Sequence, residues 1–184
     1  MTDIAAEMST ILINAAKAEL HGTGCVPRPQ AYMFAEDTPI GFVTCRRFYT
    51  GSDSITAIGD LGVLPSVMKM TRLLILWENS DLEVALDRAT GPFPMALMLL
   101  DASFKGHTLH RYPFEPVPTG ETADGVPTLR LDWKRPLRAK NPSLPDPITR
   151  LLRVWRELRD DDIQKTVIAL QQSGYELDWF ERIR

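Results

Sequence analysis

Apolar residues recur every three or four positions near both ends of the chain, which predicts amphipathic helices there. The first helix covers residues 3–20, and two prolines soon after it forbid its continuation. Pro147 opens a second helix over 148–159, and three aspartates at 160–162 suit the start of a third. We therefore expect an N-terminal helix and a C-terminal helical pair.

Between these helices, the pattern first predicts a hairpin and then a broken helix. Residues 30–35 and 40–49 are rich in aromatic and β-branched side chains, and residues 36–39 have turn chemistry. Apolar residues over 53–70 are interrupted by two glycines and by Pro65, which predicts short helical pieces rather than one helix.

Two continuously apolar runs, 72–77 and 94–101, indicate strands that are buried on both faces. A helix over 80–89, capped by Asn79 or Ser80, is predicted between them. Strand, helix and strand form a βαβ unit, in which we expect adjacent parallel strands joined by a right-handed crossover. The expected class is α/β with a mixed β-sheet around this unit, and α+β is the alternative.

The segment after this unit is rich in proline. Residues 106–117 are expected to form an edge strand, and eight of the fourteen prolines lie between 112 and 147. We predict a core domain over 1–117 and a Pro-rich irregular arm over 118–146, with one short strand at 128–133. Residues 147–184 then form the helical pair, packed on the core.

Composition and charge restrict the class of protein. The chain has 184 residues, of which 44% are hydrophobic and 24% charged, as in ordinary globular proteins. Its apolar runs are far shorter than the roughly 20 residues that span a bilayer. An acid in the first three residues is unlike a secretory signal, and two cysteines cannot form a disulfide framework. The sequence therefore predicts a cytoplasmic protein without a membrane partner.

Charge is divided unevenly along the chain. Residues 130–159 contain nine Lys or Arg and three Asp or Glu, so this segment carries +6 while the remainder carries −9. Such asymmetry indicates a surface for an anionic partner. Two alternatives stay open: the segment lies against acidic residues of its own chain, or it is simply solvated.

The basic helix suggests the leading functional hypothesis. Basic residues spaced by three lie beside an apolar stripe that includes Trp155, a potential anchor for a partner. The candidate partner-binding residues are Arg150, Arg153, Trp155, Arg156 and Arg159. We expect a non-enzymatic interaction or regulatory protein that engages a protein partner or a second copy of itself, with no cofactor.

Binding of nucleic acid through 130–159 is a second hypothesis, because a helical pair with phosphate-contacting arginines resembles a helix-turn-helix. The helix in the recognition position opens with three aspartates and has one base, Lys165, which is poor chemistry for a groove.

A small hydrolase-type enzyme is the third hypothesis. Glu78, Asp81 and Asp101 follow or end strands 72–77 and 94–101, and ligands bind at the carboxyl ends of parallel strands. Helix caps and first-turn acids are a sufficient explanation of Asn79, Ser80 and Asp81. The chain has no P-loop, dinucleotide fingerprint or Gly-x-Ser-x-Gly elbow.

A metal site is an alternative that needs His107, His110 and Glu115. In a strand, residues three apart point to opposite faces, so the chain would have to bend at Gly106 to bring the two rings together.

The predicted order of elements over 3–101 is similar to that of JAB/MPN-type domains, which hold catalytic zinc with a His-x-His-Pro run near a strand end. Here the strand end reads Leu-Trp-Glu-Asn-Ser over 76–80, without histidine. The resemblance therefore implies a scaffold that lacks the catalytic site.

Overall fold

The computed structural model describes residues 3–87 and 94–180. The helices in these ranges are α1 (Ile4–Thr23), α2 (Ser52–Gly59), α3 (Val63–Val67), α4 (Asn79–Ala85), α5 (Asp146–Arg156) and α6 (Ile163–Gln172). The strands are β1 (Gln30–Ala35), β2 (Thr38–Thr44), β3 (Arg72–Glu78), β4 (Ala96–Ser103), β5 (His107–Glu121), β6 (Pro127–Trp133), β7 (Leu137–Lys140) and β8 (Glu176–Trp179). Within the described ranges, no helix combines the length and the apolar character needed to cross a bilayer.

The strands form one sheet in the order β6-β5-β4-β3-β1-β2-β8, and β7 also pairs with β5. Helix α1 packs on one face of the sheet, and α2, α3 and α5 pack on the other. The presence of both helices and a sheet, the N-terminal helix and the C-terminal helices are thus confirmed. Every strand pair of the described residues is antiparallel, so the expectation of a mixed sheet was wrong. The β1–β2 hairpin and the broken helix, which is α2, a 3₁₀ turn at Asp60–Gly62 and α3, are confirmed as well.

The central strands β3 and β4 are adjacent and buried on both faces, as predicted, but they run antiparallel, so the prediction of a parallel pair was wrong. Glu78 at the end of β3 lies opposite Leu97 near the start of β4. The connecting helix α4 has seven residues, which rise only about 10 Å, whereas the seven residues of β3 extend about 23 Å. A parallel crossover has to return along the length of the strand, and α4 is too short to do so.

The Pro-rich segment is an ordered β-hairpin rather than an irregular arm. Strand β5 pairs with β4 on one side and with both β7 and β6 on the other, so it is not an edge strand. Its prolines lie mostly beyond β4, where β5 pairs only with β6 across a register shift near Pro118. A missing N–H is tolerated there because outer strands have unpaired positions. The short strand predicted at 128–133 is β6.

The C-terminal elements close the fold. Asp162 caps α6 by accepting a hydrogen bond from the Lys165 amide at 2.8 Å, as expected for that acidic run. The apolar residues at 177 and 179 form β8, an edge strand that pairs with β2 and was not predicted. Residues 88–89 of the predicted α4 and 181–184 of the tail lie outside the described residues.

Alternation along the central strands divides the core into two layers. Leu73, Ile75 and Trp77 pack against the layer that holds α2, α3 and α5. Leu74 and Leu76 pack against α1. Continuous apolar character in β3 therefore reflects helices on both faces of the sheet.

One half-buried ion pair joins the loop after β2 to α2 and confers a pH dependence. Arg46 holds both carboxylate oxygens of Asp53, and the Tyr49 amide donates to Asp53 Oδ2 at 2.9 Å. These hydrogen bonds, that of Arg46 above all, lower the pKa of Asp53 to about 2. The stabilisation from the ionised carboxylate is therefore complete above the unfolded pKa, about 3.9, and is lost as pH falls through the folded value.

We accordingly expect the D53N variant to lose less stability than the native chain between about pH 4 and 2. Urea midpoints measured across this range test the expectation. D124N, which changes an exposed carboxylate in the β5–β6 loop, is the control and should follow the native curve. Parallel curves for D53N and the native chain would show that the pair contributes no linkage.

Candidate functional site

The antiparallel arrangement separates the three carboxylates of the enzyme hypothesis. Asp101 lies in β4 opposite Leu74, toward the start of β3, whereas Glu78 and Asp81 lie at and after its end. The Arg72 guanidinium holds Asp101 in two hydrogen bonds, at 2.8 Å from Nε and 2.7 Å from Nη2, and also contacts Asp3. Asp101 is thus part of an ion-pair cluster that ties α1 to the sheet, and it is not near a shared strand-end pocket.

Glu78 has a structural role in the fold. The residue is 5% exposed, and its carboxylate accepts hydrogen bonds from the Asp81 amide at 2.7 Å and the Ala96 amide at 2.9 Å. Glu78 itself is therefore the N-cap of α4, where Asn79 or Ser80 was predicted. Burial raises its pKa, and the amide hydrogen bonds oppose this shift. Asp81 lies beside it and carries no such contact on its carboxylate among the described residues.

The histidines of the metal hypothesis face opposite sides of the sheet. His107 Nε2 lies 3.0 Å from the Pro142 carbonyl, on the α5 side. His110 pairs with Leu99, a residue of the α1-side core, and burial and Arg138 lower its pKa. Glu115 pairs with Lys134 at 3.2 Å. Across residues 3–87 and 94–180, no group of three His, Cys, Asp or Glu side chains could hold a metal ion, so this alternative has no site there.

Trp155 is not an exposed anchor for a partner. Its side chain is 0% exposed, its Nε1 donates to the Met70 carbonyl at 2.9 Å, and its ring stacks on Phe104. The apolar stripe of α5 is buried in the protein's own core, because α5 packs against α2, the 3₁₀ turn and α3. A partner can therefore contact only the polar face of α5.

The basic segment is partly neutralised by its own chain. Lys134 contacts Asp132 and Glu115, Arg150 lies 3.7 Å from Asp60, and Arg159 pairs with Glu157. The remaining bases form no ion pair with another described residue: Arg130, Arg135, Arg138, Lys140, Arg153 and Arg156. Self-neutralisation thus accounts for some of the charge, and an unpaired basic surface remains.

Two of these unpaired arginines line a cavity of about 580 Å³ beside α5, which we call the basic cavity. Its polar lining includes Arg153, Arg156 and His107, with Glu157 at the same wall. Its apolar lining includes Pro142, Leu144 and Leu152. The site combines positive charge with an apolar wall in one concave surface.

Hydrogen bonds to the backbone hold this cavity in shape. Arg156 Nη2 donates to the Ser103 carbonyl at 2.7 Å, and partial burial lowers the pKa of Arg156. The His107 ring donates to Pro142, because a carbonyl can only accept, and its backbone amide donates to Asn141 Oδ1 at 2.8 Å. The His107 ring and the Arg156 side chain are thus held in place by the protein itself.

A smaller cavity of about 330 Å³ continues the positive surface past His107. Lys105 and Lys140 line it, together with the Arg72–Asp101 pair. The two cavities share His107 in their linings.

Comparison of the chain with protein-family models, curated proteins and solved structures gave no match. The similarity to JAB/MPN-type domains therefore has no support beyond the order of elements.

The sequence analysis proposed Arg153 and Arg156 as partner-binding residues and His107 as a metal ligand, but it did not place the three in one cavity. His107, Ser103 and Asn141 come from β5, the end of β4 and the turn after β7, far from α5 along the chain. The excess of bases over 130–159 was the available signal, and it could not indicate which bases would stay unpaired.

Proposed function

We propose that this protein is a non-enzymatic interaction protein whose basic cavity binds an acidic segment of a partner protein. The main support is that Arg153 and Arg156 line a concave site with an apolar wall. Neither arginine has an ion-pair partner among the described residues. An acidic segment with one apolar side chain matches this site, with its carboxylates near the arginines and the apolar group against Pro142, Leu144 and Leu152.

Charge distribution favours an acidic peptide over nucleic acid. Glu157, which pairs with Arg159, lines the cavity. The exposed carboxylates of Asp160, which pairs with Lys69, and of Asp161 lie a few residues after α5. These carboxylates repel a continuous phosphate backbone, whereas a short peptide can avoid them. The three aspartates that begin the α6 region also leave that helix poorly suited to enter a groove.

The site residues support binding rather than catalysis. Among the described residues, no Ser, Thr or Cys side chain is hydrogen-bonded to a histidine ring, and that pairing is the usual sign of an activated nucleophile. The fixed contacts of His107 and Arg156 instead give a rigid surface, which favours binding because little conformational entropy is lost.

Peptide binding tests the proposal. A fluorescein-labelled acidic peptide with a central leucine should bind the native chain in an anisotropy titration, and its Asn/Gln counterpart should not. R153E is expected to weaken binding roughly tenfold or more, because one attraction becomes a repulsion. R130E, which reverses an exposed base of the same segment on β6, is the matched control and should bind as the native chain does.

Duplex DNA and single-stranded RNA are titrated in parallel at about 50 and about 200 mM salt. Nucleic-acid binding that R130E and R153E weaken equally would replace the proposal with the nucleic-acid hypothesis. Light scattering at two protein concentrations identifies the case in which the acidic segment belongs to a second copy. Equal binding of the acidic and neutral peptides would exclude the proposed recognition.

A further inference from the structure

A second cavity, of about 570 Å³, lies on the opposite face of the sheet from the basic cavity, between the end of α1, the start of α4 and the β5–β6 hairpin. We call it the hairpin cavity. We propose that it binds a small molecule with an apolar body and a positively charged nitrogen, for which Asp81 is the counter-ion. Its volume is in the range of small-molecule sites, about 300–1,000 Å³.

The hairpin cavity is apolar over most of its wall. Leu20 and Phe114 are buried residues of the α1-side core, and Leu131 packs against that core. Leu129 and Met95 also line the cavity, and they are 60% and 40% exposed. An apolar ligand body would remove these exposed side chains from water, which is favourable at about 25 cal/mol per Å².

Two carboxylates face this cavity, and only one is satisfied. Both oxygens of Glu78 accept backbone amides. The Asp81 carboxylate, on a residue that is exposed to solvent, makes no hydrogen bond or ion pair with another described residue. A carboxylate without a partner beside an apolar wall attracts a cationic group. A ligand nitrogen would supply that partner.

The other polar groups are compatible with a small cationic ligand. His21 and Ser80 line the cavity and can donate or accept hydrogen bonds. No Lys or Arg of the described residues lines it. The lining therefore selects against an anionic head group and accommodates a cationic one, the reverse of the basic cavity.

Cys25 provides a direct measurement of occupancy. Its thiol is free and exposed, and the residue lines the hairpin cavity. Cys45 is buried, and burial raises its pKa to about 12, so a thiol reagent should modify Cys25 selectively. A ligand in the cavity should slow this reaction.

The experiment compares three probes that share one alkyl chain: octylamine, octanol and octanoate. We expect octylamine to protect Cys25 from an aromatic disulfide reagent at about tenfold lower concentration than octanol, and octanoate to protect least. In D81N, the advantage of octylamine over octanol should disappear while octanol protects as before. D37N, a change of an exposed carboxylate in the β1–β2 turn, should keep the native order.

C25S should show no fast-reacting thiol, which verifies that the signal comes from Cys25. Equal protection by all three probes would overturn the assignment of a cationic ligand. So would an octylamine preference that persists in D81N. Absence of protection at every probe concentration below aggregation would overturn the ligand site itself.

Discussion

Replacing Trp155 with alanine is expected to lower the free energy of unfolding by about 3–5 kcal/mol, the usual cost of removing a large aromatic side chain from a core. Trp155 is fully buried, and Phe104 stacks on it with ring centroids 5.0 Å apart. Truncation leaves a cavity where α5 meets the sheet and leaves the Met70 carbonyl without its indole donor.

Denaturant midpoints of two further variants make this expectation specific. W155F keeps most of the ring volume but loses the hydrogen bond, so its loss should be smaller than that of W155A, and it can be measured even if W155A does not fold. W179A removes a tryptophan that is 47% exposed on the edge strand β8, and should cost less than half as much as W155A. A loss in W155A no larger than in W179A would contradict the burial of Trp155 in the core.

The second large effect is expected at Gly62, where the 3₁₀ turn crosses α5. A β-carbon at this position would lie 2.4 Å from the Leu151 carbonyl oxygen and 3.0 Å from the Trp155 amide nitrogen. Both are backbone atoms of a helix and cannot rotate away. G62A should therefore destabilise the protein by about 2–3 kcal/mol through overpacking.

A matched glycine separates this steric effect from the general effect of alanine. Gly22 lies in the last turn of α1, and no atom lies within 4 Å of its ideal β-carbon. G22A should be neutral or stabilising by up to about 1 kcal/mol, since alanine favours a helix. Only G62A is thus expected to lower stability in the same denaturation assay. A neutral G62A would show that α5 can move away from the turn without cost.

Local patterns were sufficient to predict most of the elements. The spacing of apolar residues identified α1 and α5, and the pair of β-rich runs around a turn identified the β1–β2 hairpin. These predictions succeed because the periodicity of a helix or strand is recorded in neighbouring residues. The same reasoning placed β3 and β4 as strands buried on both faces.

Strand direction and pairing were not predictable in this way. A helix between two buried strands suggested a parallel crossover, but α4 is too short to return along β3. The antiparallel direction of β3 and β4 is seen only in their pairing, in which Glu78 lies opposite Leu97. The prolines in and after β5 suggested irregular structure. The segment is ordered because β6 and β7 pair with β5, and these pairings cannot be inferred from neighbouring residues.

The candidate sites divide in the same way. The sequence by itself determined the residue types available for binding: an excess of bases around α5 and carboxylates after β3. Tertiary structure alone decided that Trp155 is buried, that Asp101 is held by Arg72, and that Arg153 and Asp81 are left without partners on opposite faces of the sheet. The physical reason is that burial and pairing of a side chain depend on contacts between segments distant in the chain, which one-dimensional periodicity does not record.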